Sequence, residues 1–179
     1  KIMLSRKVWC ASSTHPGEEE FCAKTHKELK KKYNNLLTII IPRHIDRVEN
    51  IQQKLKALNL KVQTHESKKI INEKTDIYIV DTYGKTKSFY NNCNNVFLGG
   101  SIINHGGQNP LEAARYGCNI LHGPNVDNFR EIYLFLKKNK ISTKINHQKQ
   151  IIKNLDRLFS NKMSSNKIKR KLSKIGQKI

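Results

Sequence analysis

Short apolar runs alternate with longer amphipathic stretches along most of the chain. Six runs rich in β-branched and other apolar residues predict strands, over residues 7–13, 36–41, 61–66, 76–81, 95–100 and 119–123. Between most of these runs, apolar residues recur at helical spacing, over residues 18–33, 46–58, 85–92, 110–116 and 128–136. Continuous apolar strands that alternate with helices indicate a parallel sheet covered on both faces. We therefore predict a doubly wound, Rossmann-like α/β domain of about six strands.

The C-terminal part of the chain is strongly basic. Two further helical patterns lie near residues 148–159 and 165–175. From residue 137 to 179 there are fourteen Lys or Arg and one acid, so this part carries most of the net charge of +20. We expect residues 1–140 to form the α/β domain and residues 141–179 a basic helical tail that packs on or beside it. Such a tail is attracted to anionic lipid or nucleic acid; a solvated face in a lysine-rich sequence is the alternative.

Composition and motifs exclude several classes of protein. No stretch approaches the roughly 18 to 20 apolar residues of a membrane-spanning helix, and no signal-peptide pattern is visible, which favours a cytoplasmic protein. The four cysteines show no C-x-x-C spacing and lie in or beside apolar runs. They are expected to be reduced, buried thiols rather than disulfides or zinc ligands. Neither H-E-x-x-H nor D-x-D is present, so we expect no metal site.

The segment "GGSIINHGGQNPLEAARYG", residues 99–117, holds an unusual density of glycine. It follows the fifth predicted strand, and ligands of open parallel sheets bind beyond the carboxyl ends of the strands. Gly106 and Gly107 are expected to bring bare backbone close to a ligand. Asn109 and Pro110 then begin a helix, whose N-terminal N–H groups suit an anion. The segment therefore predicts a phosphate contact.

Glu112 adds a carboxylate to this phosphate site. In the first turn of a helix it can simply offset the helix dipole. A carboxylate beside a phosphate site can also accept two hydrogen bonds from ribose hydroxyls. The two features together indicate a nucleotide, although neither G-x-G-x-x-G nor a P-loop is present. We expect the nucleotide to be bound without a metal ion or a further cofactor.

Arg43 follows the second predicted strand and is a second candidate anion ligand. A guanidinium at this position can bind phosphate or carboxylate through two hydrogen bonds, and the rigid Pro42 before it favours a fixed position. An ordinary surface arginine is the alternative. His44 is a neighbouring candidate donor, although a lone histidine is more often structural.

The turns after the first and fourth predicted strands give weaker signals. In "SSTHPGEEE", Ser13 or Thr14 can cap the following helix, and three acids at residues 18–20 suit its first turn. Helix initiation alone explains this stretch. In "DTYGKT", Gly84 fits any strand-to-helix turn.

Several of these stretches resemble one known family. The residues "ASSTHPGEEE", "IIIPRH", "VDTYGKTKSFY" and "NVFLGGSIINHGGQNPLEAARYGCNILHGPNVDNF" are similar, in order and spacing, to the C-terminal half of the Kdo transferases. These enzymes move 3-deoxy-D-manno-octulosonic acid (Kdo) from CMP-Kdo to a lipid A precursor. The similarity covers roughly residues 8–135, and its most specific part is H-G-G-x-N-P-x-E with the following G-P-x-x-x-N-F.

The resemblance implies the donor-binding domain of a GT-B glycosyltransferase in lipopolysaccharide biosynthesis, which is inverting and independent of metal. The contacts to CMP that it implies are Pro42, Arg43, Tyr83, Gly84, Lys85, Asn109, Pro110, Leu111 and Glu112, with Ser13, His44, Gly106 and Gly107 as further candidates. The middle set departs from the family, which usually has Met-Gly-Glu where this chain has Tyr-Gly-Lys. The reversed charge at Lys85 leaves that contact open, or assigns it to the backbone.

The resemblance also implies a second, N-terminal domain that binds the lipid acceptor and supplies the general base. No such domain precedes residue 1 in this sequence, so we expect the chain alone to bind the donor without transferring the sugar. The implied location is the cytoplasm, peripheral at the inner face of the inner membrane, with the basic tail on anionic lipid.

Two other functions stay open at this point. A GT-B domain could use another nucleotide sugar, such as a UDP-sugar. A basic α/β module that binds nucleic acid is the second alternative, but the lysine-rich stretches lack the interleaved aromatic residues that stack on bases. We therefore expect no nucleic-acid partner.

Overall fold

The computed structural model describes residues 5–65, 70–160 and 168–170. Within them, seven strands form one sheet: β1 Lys7–Thr14, β2 Leu36–Pro42, β3 Val62–Thr64, β4 Ile77–Ile79, β5 Asn95–Leu98, β6 Asn119–His122 and β7 Ser142–Lys144. The α-helices are α1 Glu18–Lys30, α2 Val48–Ala57, α3 Thr86–Asn92, α4 Leu111–Arg115, α5 Arg130–Lys138 and α6 Gln148–Ser160. Of the helix predicted over 165–175, residues 168–170 are helical and the rest lies outside the described residues.

The sheet is entirely parallel, with the strand order β3-β4-β2-β1-β5-β6-β7. The first strand lies in the middle, where Cys10 is opposite Ile39 of β2 and Val96 of β5. On one side of β1 the chain adds β2, then β3 at the edge, then β4 between β2 and β3; on the other side it adds β5, β6 and β7 in order. Between β1 and β5 the connections diverge, and such a switch point leaves a crevice at the carboxyl ends of the strands.

Helices cover both faces of the sheet. On β1, Cys10 packs in one core cluster with residues of α3, α4 and α5, whereas Trp9 and Ala11 pack in the other with residues of α1, α2 and α6. All three side chains are completely buried. Successive residues of a strand point to opposite faces, so a strand buried on both sides must be apolar throughout. The predicted doubly wound α/β fold is confirmed.

The sheet extends beyond residue 140, where the sequence analysis expected it to end. The seventh strand, β7, was not predicted, and it pairs in parallel with β6, with Ser142 opposite Ile120. The following helix α6 buries Ile151 and Leu155 in the same core as α1. Residues 142–160 therefore share one sheet and one core with the preceding part of the chain.

The structure also bears on two earlier predictions, one about the state of the cysteines and one about membrane-spanning helices. All four cysteines are free and buried, and burial raises the pKa of the Cys118 thiol to about 12. Such thiols are protonated and unreactive near neutral pH. In the described part of the chain, no helix is both long and apolar enough to cross a bilayer.

Candidate functional site

The loops that follow β1, β2 and β5 meet at the carboxyl-end crevice. The backbone N–H of Arg43 donates to Thr14 O at 3.0 Å, which joins the loop after β2 to the end of β1. The N–H of Gly99 donates to Ser12 O at 2.8 Å, which joins the loop after β5 to the same strand. Two sequence motifs that are more than fifty positions apart are therefore held at one edge.

Glu18 anchors the glycine-rich loop. Its carboxylate is completely buried and accepts four backbone hydrogen bonds. Oε2 accepts from the N–H of His15 at 3.0 Å and of Gly100 at 2.7 Å. Oε1 accepts from the N–H of Ser101 at 3.1 Å and of Ile102 at 3.0 Å. Because bonds to an ionised acceptor are strong, this carboxylate fixes the loop after β5 against the start of α1. Sequence reasoning assigned Glu18 only to helix initiation.

The next two acids of α1 have different partners. Glu19 is buried and accepts the Thr14 hydroxyl at 2.9 Å. It also forms a bidentate salt bridge with Arg47, in which Nη1 and Nη2 each lie 3.0 Å from one carboxylate oxygen. Glu20 reaches Lys54 on α2 at 3.2 Å. These bonds fix the positions of the loops after β1 and β2 relative to each other.

The helix cap predicted at Ser13 or Thr14 is wrong. The N-cap position of α1 is Gly17, and no side chain caps it. Ser13 instead forms an irregularity in the ladder between β1 and β2, where its φ is 55°. A non-glycine residue in this left-handed region costs on the order of 1 kcal/mol, and such bulges often lie next to functional sites.

The close approaches of the glycines are to the protein's own chain. A Cβ at Gly99 would lie 2.7 Å from Thr14 Cα and from the Glu18 carboxylate. At Gly107, where φ is +81°, it would lie 3.0 Å from Val126 Cα. The sequence analysis attributed Gly106 and Gly107 to a phosphate; the structure shows that backbone packing alone already requires glycine at Gly99 and Gly107.

The same loop leaves other N–H groups available. The N–H of Gly107 donates to Gly100 O at 2.8 Å, so it is occupied within the loop. Among the described residues, the N–H groups of Gln108 and Asn109 have no acceptor. The Asn109 side chain accepts from the N–H of Leu111 at 3.0 Å and begins the short helix α4. The N–H of Gly106 likewise has no acceptor among the described residues, so the available donors are at Gly106 and at the two residues after Gly107.

Arg43 and Glu112 have no charged partner within the described part of the chain. Arg43 is exposed, Pro42 before it is buried at the end of β2, and Glu112 on α4 is half-buried. Arg43 follows β2 and Glu112 lies in the helix after β5, so both unpaired charges follow strands at their carboxyl ends, where ligands of parallel sheets bind.

Three histidines from three loops form a cluster at the crevice. The His15 ring lies 4.1 Å from the His105 ring and 6.1 Å from the His44 ring, centroid to centroid. Burial, together with the nearby His105, His44, Arg47 and Arg43, lowers the pKa of His15 to about 4. His15 is therefore neutral near pH 7. Of these histidines, sequence reasoning identified only His44, because nothing local links positions 15 and 105.

Tyr83, Gly84 and Lys85 form an exposed turn after β4. The Tyr83 side chain is 61% exposed, and nothing lies within 4 Å of a Cβ placed on Gly84, whose φ is +77°. Neither Tyr83 nor Lys85 makes a side-chain hydrogen bond or salt bridge with a described residue. The structure leaves this turn open to solvent, and its contact with a nucleotide stays a prediction.

No three His, Cys, Asp or Glu side chains within residues 5–65, 70–160 and 168–170 are grouped so that they could hold a metal ion. The groups available at the crevice are a guanidinium, backbone N–H groups, a carboxylate and the neutral imidazole of His15. Such groups can neutralise an anion and accept hydroxyl protons.

Comparisons with known proteins agree on one family. No family model matches the chain. The 3-deoxy-D-manno-octulosonic acid transferase of Haemophilus influenzae is 35% identical over 131 residues, which are 73% of this chain and 31% of that protein. The transferase of the same name from Aquifex aeolicus is 30% identical over 159 residues, 89% of this chain and 44% of that protein. The chain thus spans less than half the length of these relatives.

A solved structure matches nearly the whole chain. It is the C-terminal CMP-Kdo binding domain of WaaA from Acinetobacter baumannii, with a TM-score of 0.88 and 22% identity, covering 98% of this chain and 91% of that one. At this identity the match shows the fold, and the curated relatives carry the family assignment. The chain belongs to the family of the 3-deoxy-D-manno-octulosonic acid transferases.

Proposed function

We propose that this chain is the donor-binding half of a GT-B glycosyltransferase that transfers Kdo from CMP-Kdo to a lipid A precursor in lipopolysaccharide biosynthesis. The names of the curated relatives and the CMP-Kdo binding of the matched Acinetobacter domain support this function. The observation that carries it is that Arg43, after β2, and Glu112, in the first turn of the helix after β5, both leave their charges unpaired within the described residues. A nucleoside monophosphate requires one cationic and one hydroxyl-accepting group at such an edge.

Each candidate residue has a role in this proposal. Arg43 and the N–H groups of Gln108 and Asn109 bind the phosphate of CMP, and the Glu112 carboxylate accepts the ribose hydroxyls. The remaining proposed contacts shape the pocket around the nucleotide: Ser13, Pro42, His44, Tyr83, Gly84, Lys85, Gly106, Gly107, Pro110 and Leu111.

The proposed reaction is an inverting displacement at the anomeric carbon of Kdo. A lipid sugar hydroxyl attacks this carbon, its proton goes to a base outside the 179 residues, and the bond to the CMP phosphate breaks. Arg43 and the two N–H groups stabilise the charge that develops on the leaving phosphate. Each such donor contributes about 2 to 4 kcal/mol in comparable oxyanion sites. The proposal needs no metal ion.

Calorimetric titration of the 179-residue chain with CMP tests the proposal. We expect binding of CMP to be stronger than binding of UMP or UDP, and to weaken at least about tenfold in Arg43→Ala and in Glu112→Ala. Matched controls are Arg157→Ala near the end of α6 and Glu28→Ala near the end of α1, which remove the same charges at the opposite edge of the sheet and should keep the affinity. Unchanged affinity in both site variants would refute the assignment, and a preference for UDP would favour another nucleotide sugar.

The basic segment 137–179 suggests where in the cell the protein acts. Each Lys or Arg near an anionic surface adds about 1 kcal/mol of attraction. We propose that the protein is cytoplasmic and works peripherally at the inner face of the inner membrane, where a lipid acceptor is present. The chain should sediment with vesicles that contain phosphatidylglycerol at low salt and remain in solution with phosphatidylcholine vesicles. Equal behaviour with both kinds of vesicle would refute this location.

A further inference from the structure

A separate cavity lies at the same edge of the sheet as the crevice, between α5 and the carboxyl ends of β6 and β7. Its volume is about 230 Å³, and its lining includes His122, Arg130, Tyr133, Lys137 and Lys144. This volume is below the range of about 300 to 1,000 Å³ that is common for drug-sized ligands. The cavity therefore suits a small ligand. None of the contacts proposed for CMP belongs to its lining.

His122 leaves one polar atom unpaired at this cavity. The residue is 4% exposed, and its ring packs against Tyr133 with the centroids 4.3 Å apart. Nδ1 lies 2.7 Å from Gly123 O, so Nδ1 carries the proton and donates it to that carbonyl. Nε2 is buried and has no hydrogen-bond partner among the described residues. Leaving a buried acceptor unpaired is costly, and here the unpaired atom belongs to a residue that lines a cavity.

The charges around the cavity favour an anion. Arg130, Lys137 and Lys144 line it together with one acid, Asp127. None of these four forms a salt bridge with another described residue. Three cations and one acid leave a net charge of two positive units. That charge is complementary to a phosphate monoester, which is close to a dianion at neutral pH.

We propose that this cavity binds a small phosphate monoester that also carries a hydroxyl group, such as a sugar phosphate. The phosphate lies among Arg130, Lys137 and Lys144, and a ligand hydroxyl donates to His122 Nε2. A neutral imidazole whose Nδ1 is protonated can only accept at Nε2, so a hydroxyl rather than a bare phosphate oxygen completes the site.

The protonation state of the His122 ring should change when such a ligand binds. Burial lowers its pKa, the bond to Gly123 O opposes this, and Lys144 and Lys137 act with burial, so that the pKa of His122 is about 4. A bound dianion would neutralise these two cations and raise the pKa of His122 again. The other charged or titratable groups that line the cavity are Asp127, Arg130 and Tyr133. The ring resonances of His122 should therefore report the ligand.

Titration of the 179-residue chain with glucose 6-phosphate, followed by the His122 ring resonances in NMR spectra, tests the proposal. We expect saturable shifts, with weaker binding of inorganic phosphate and of glucose. Arg130→Gln and Lys144→Gln should each weaken binding about tenfold, as expected for one charge-assisted bond. Lys153→Gln, an exposed lysine of α6, is the matched control and should keep the affinity. All three positions are exposed, so these variants should fold, which urea unfolding verifies.

Several results would overturn the proposal. They are the absence of a saturable shift, the same shift with sodium chloride at equal ionic strength, or equal loss of affinity in Lys153→Gln. Equal affinity for inorganic phosphate would overturn the role of the hydroxyl. A response of His122 to phosphatidic acid vesicles without one to glucose 6-phosphate would assign the site to a lipid headgroup instead. Arg43→Ala should leave this titration unchanged, so the outcome is independent of the CMP test.

Discussion

Replacing Glu18 by glutamine tests whether one buried carboxylate holds the glycine-rich loop in place. In the native protein its two oxygens accept four backbone N–H groups. The glutamine side chain has nearly the same shape but keeps only one oxygen, and its NH₂ group faces donors instead of acceptors. Two backbone N–H groups therefore lose their acceptor, and the fixed charge disappears.

The expected cost follows from these lost bonds. A hydrogen bond to a charged group contributes about 1.5 to 3 kcal/mol net, and a buried N–H without an acceptor costs about 1 to 3 kcal/mol. For two N–H groups we expect Glu18→Gln to lower the free energy of unfolding by about 3 to 6 kcal/mol. This is a large part of the roughly 5 to 15 kcal/mol that stabilises a domain.

Urea unfolding of Glu18→Gln and Glu20→Gln side by side measures this difference. Glu20 lies in the same helical turn, but its side chain is 44% exposed and its partner Lys54 is 56% exposed. Loss of such a surface salt bridge costs less than about 1 kcal/mol. In Glu18→Gln, hydrogen exchange at the amides of Gly100, Ser101 and Ile102 should also accelerate. A cost for Glu18→Gln no larger than that for Glu20→Gln, with unchanged exchange at these amides, would refute the anchoring role.

Three further predictions concern packing and ionisation. Gly99→Ala should lower the free energy of unfolding in urea by about 3 kcal/mol, because its Cβ would lie 2.7 Å from Thr14 Cα. Gly84→Ala has open space around its Cβ and should cost only the roughly 1 to 2 kcal/mol of its left-handed φ. Equal costs for the two variants would contradict this prediction. The His15 ring should titrate near pH 4 in NMR spectra; because the unfolded ring binds its proton near pH 6.5, the protein should lose stability as the pH falls from about 6.5 toward 4. Burial alone would raise the pKa of Asp76, but hydrogen bonds from neighbouring His, Lys and backbone groups hold this pKa well below its usual range. Asp76→Asn should therefore destabilise the protein most near pH 7, and the destabilisation should shrink as the pH falls below about 4. A destabilisation that does not change with pH would contradict this prediction.

The sequence predicted those parts of the fold in which burial determines the residue type. Strands covered on both faces must be apolar, and β1, β2, β4, β5 and β6 were visible as apolar runs; the remaining predicted strand, β3, is a half-buried edge strand. The seventh, β7, reads Ser-Thr-Lys and lies at the edge of the sheet. Its apolar neighbours Ile141 and Ile145 are both buried, but they are four positions apart, a spacing that also suits a helix. Periodicity alone could not separate the two structures here.

The candidate site was predictable in its location and less so in its internal contacts. Because the ends of parallel strands share one edge, Arg43 and the glycine-rich segment could be assigned to the same crevice. The partners of Glu18 at that crevice lie 82 to 84 positions later in the chain. No local pattern shows such a contact. A glycine likewise signals that something comes close, and only the structure shows that at Gly99 and Gly107 it is the protein itself.

The way in which α6 returns to α1 has a consequence for the order of folding. Gln148 donates to Phe21 O at 3.0 Å, Lys7 Nζ donates to Phe159 O at 2.8 Å, and Tyr33 donates to Asp156 at 2.6 Å. One face of the sheet is thus closed by residues from opposite ends of the sequence, and such non-local contacts form slowly. During synthesis, β1 and α1 therefore keep an apolar face exposed until residue 160 has left the ribosome. Shortening the gene before this helix should therefore yield a chain that chaperones retain or proteases degrade.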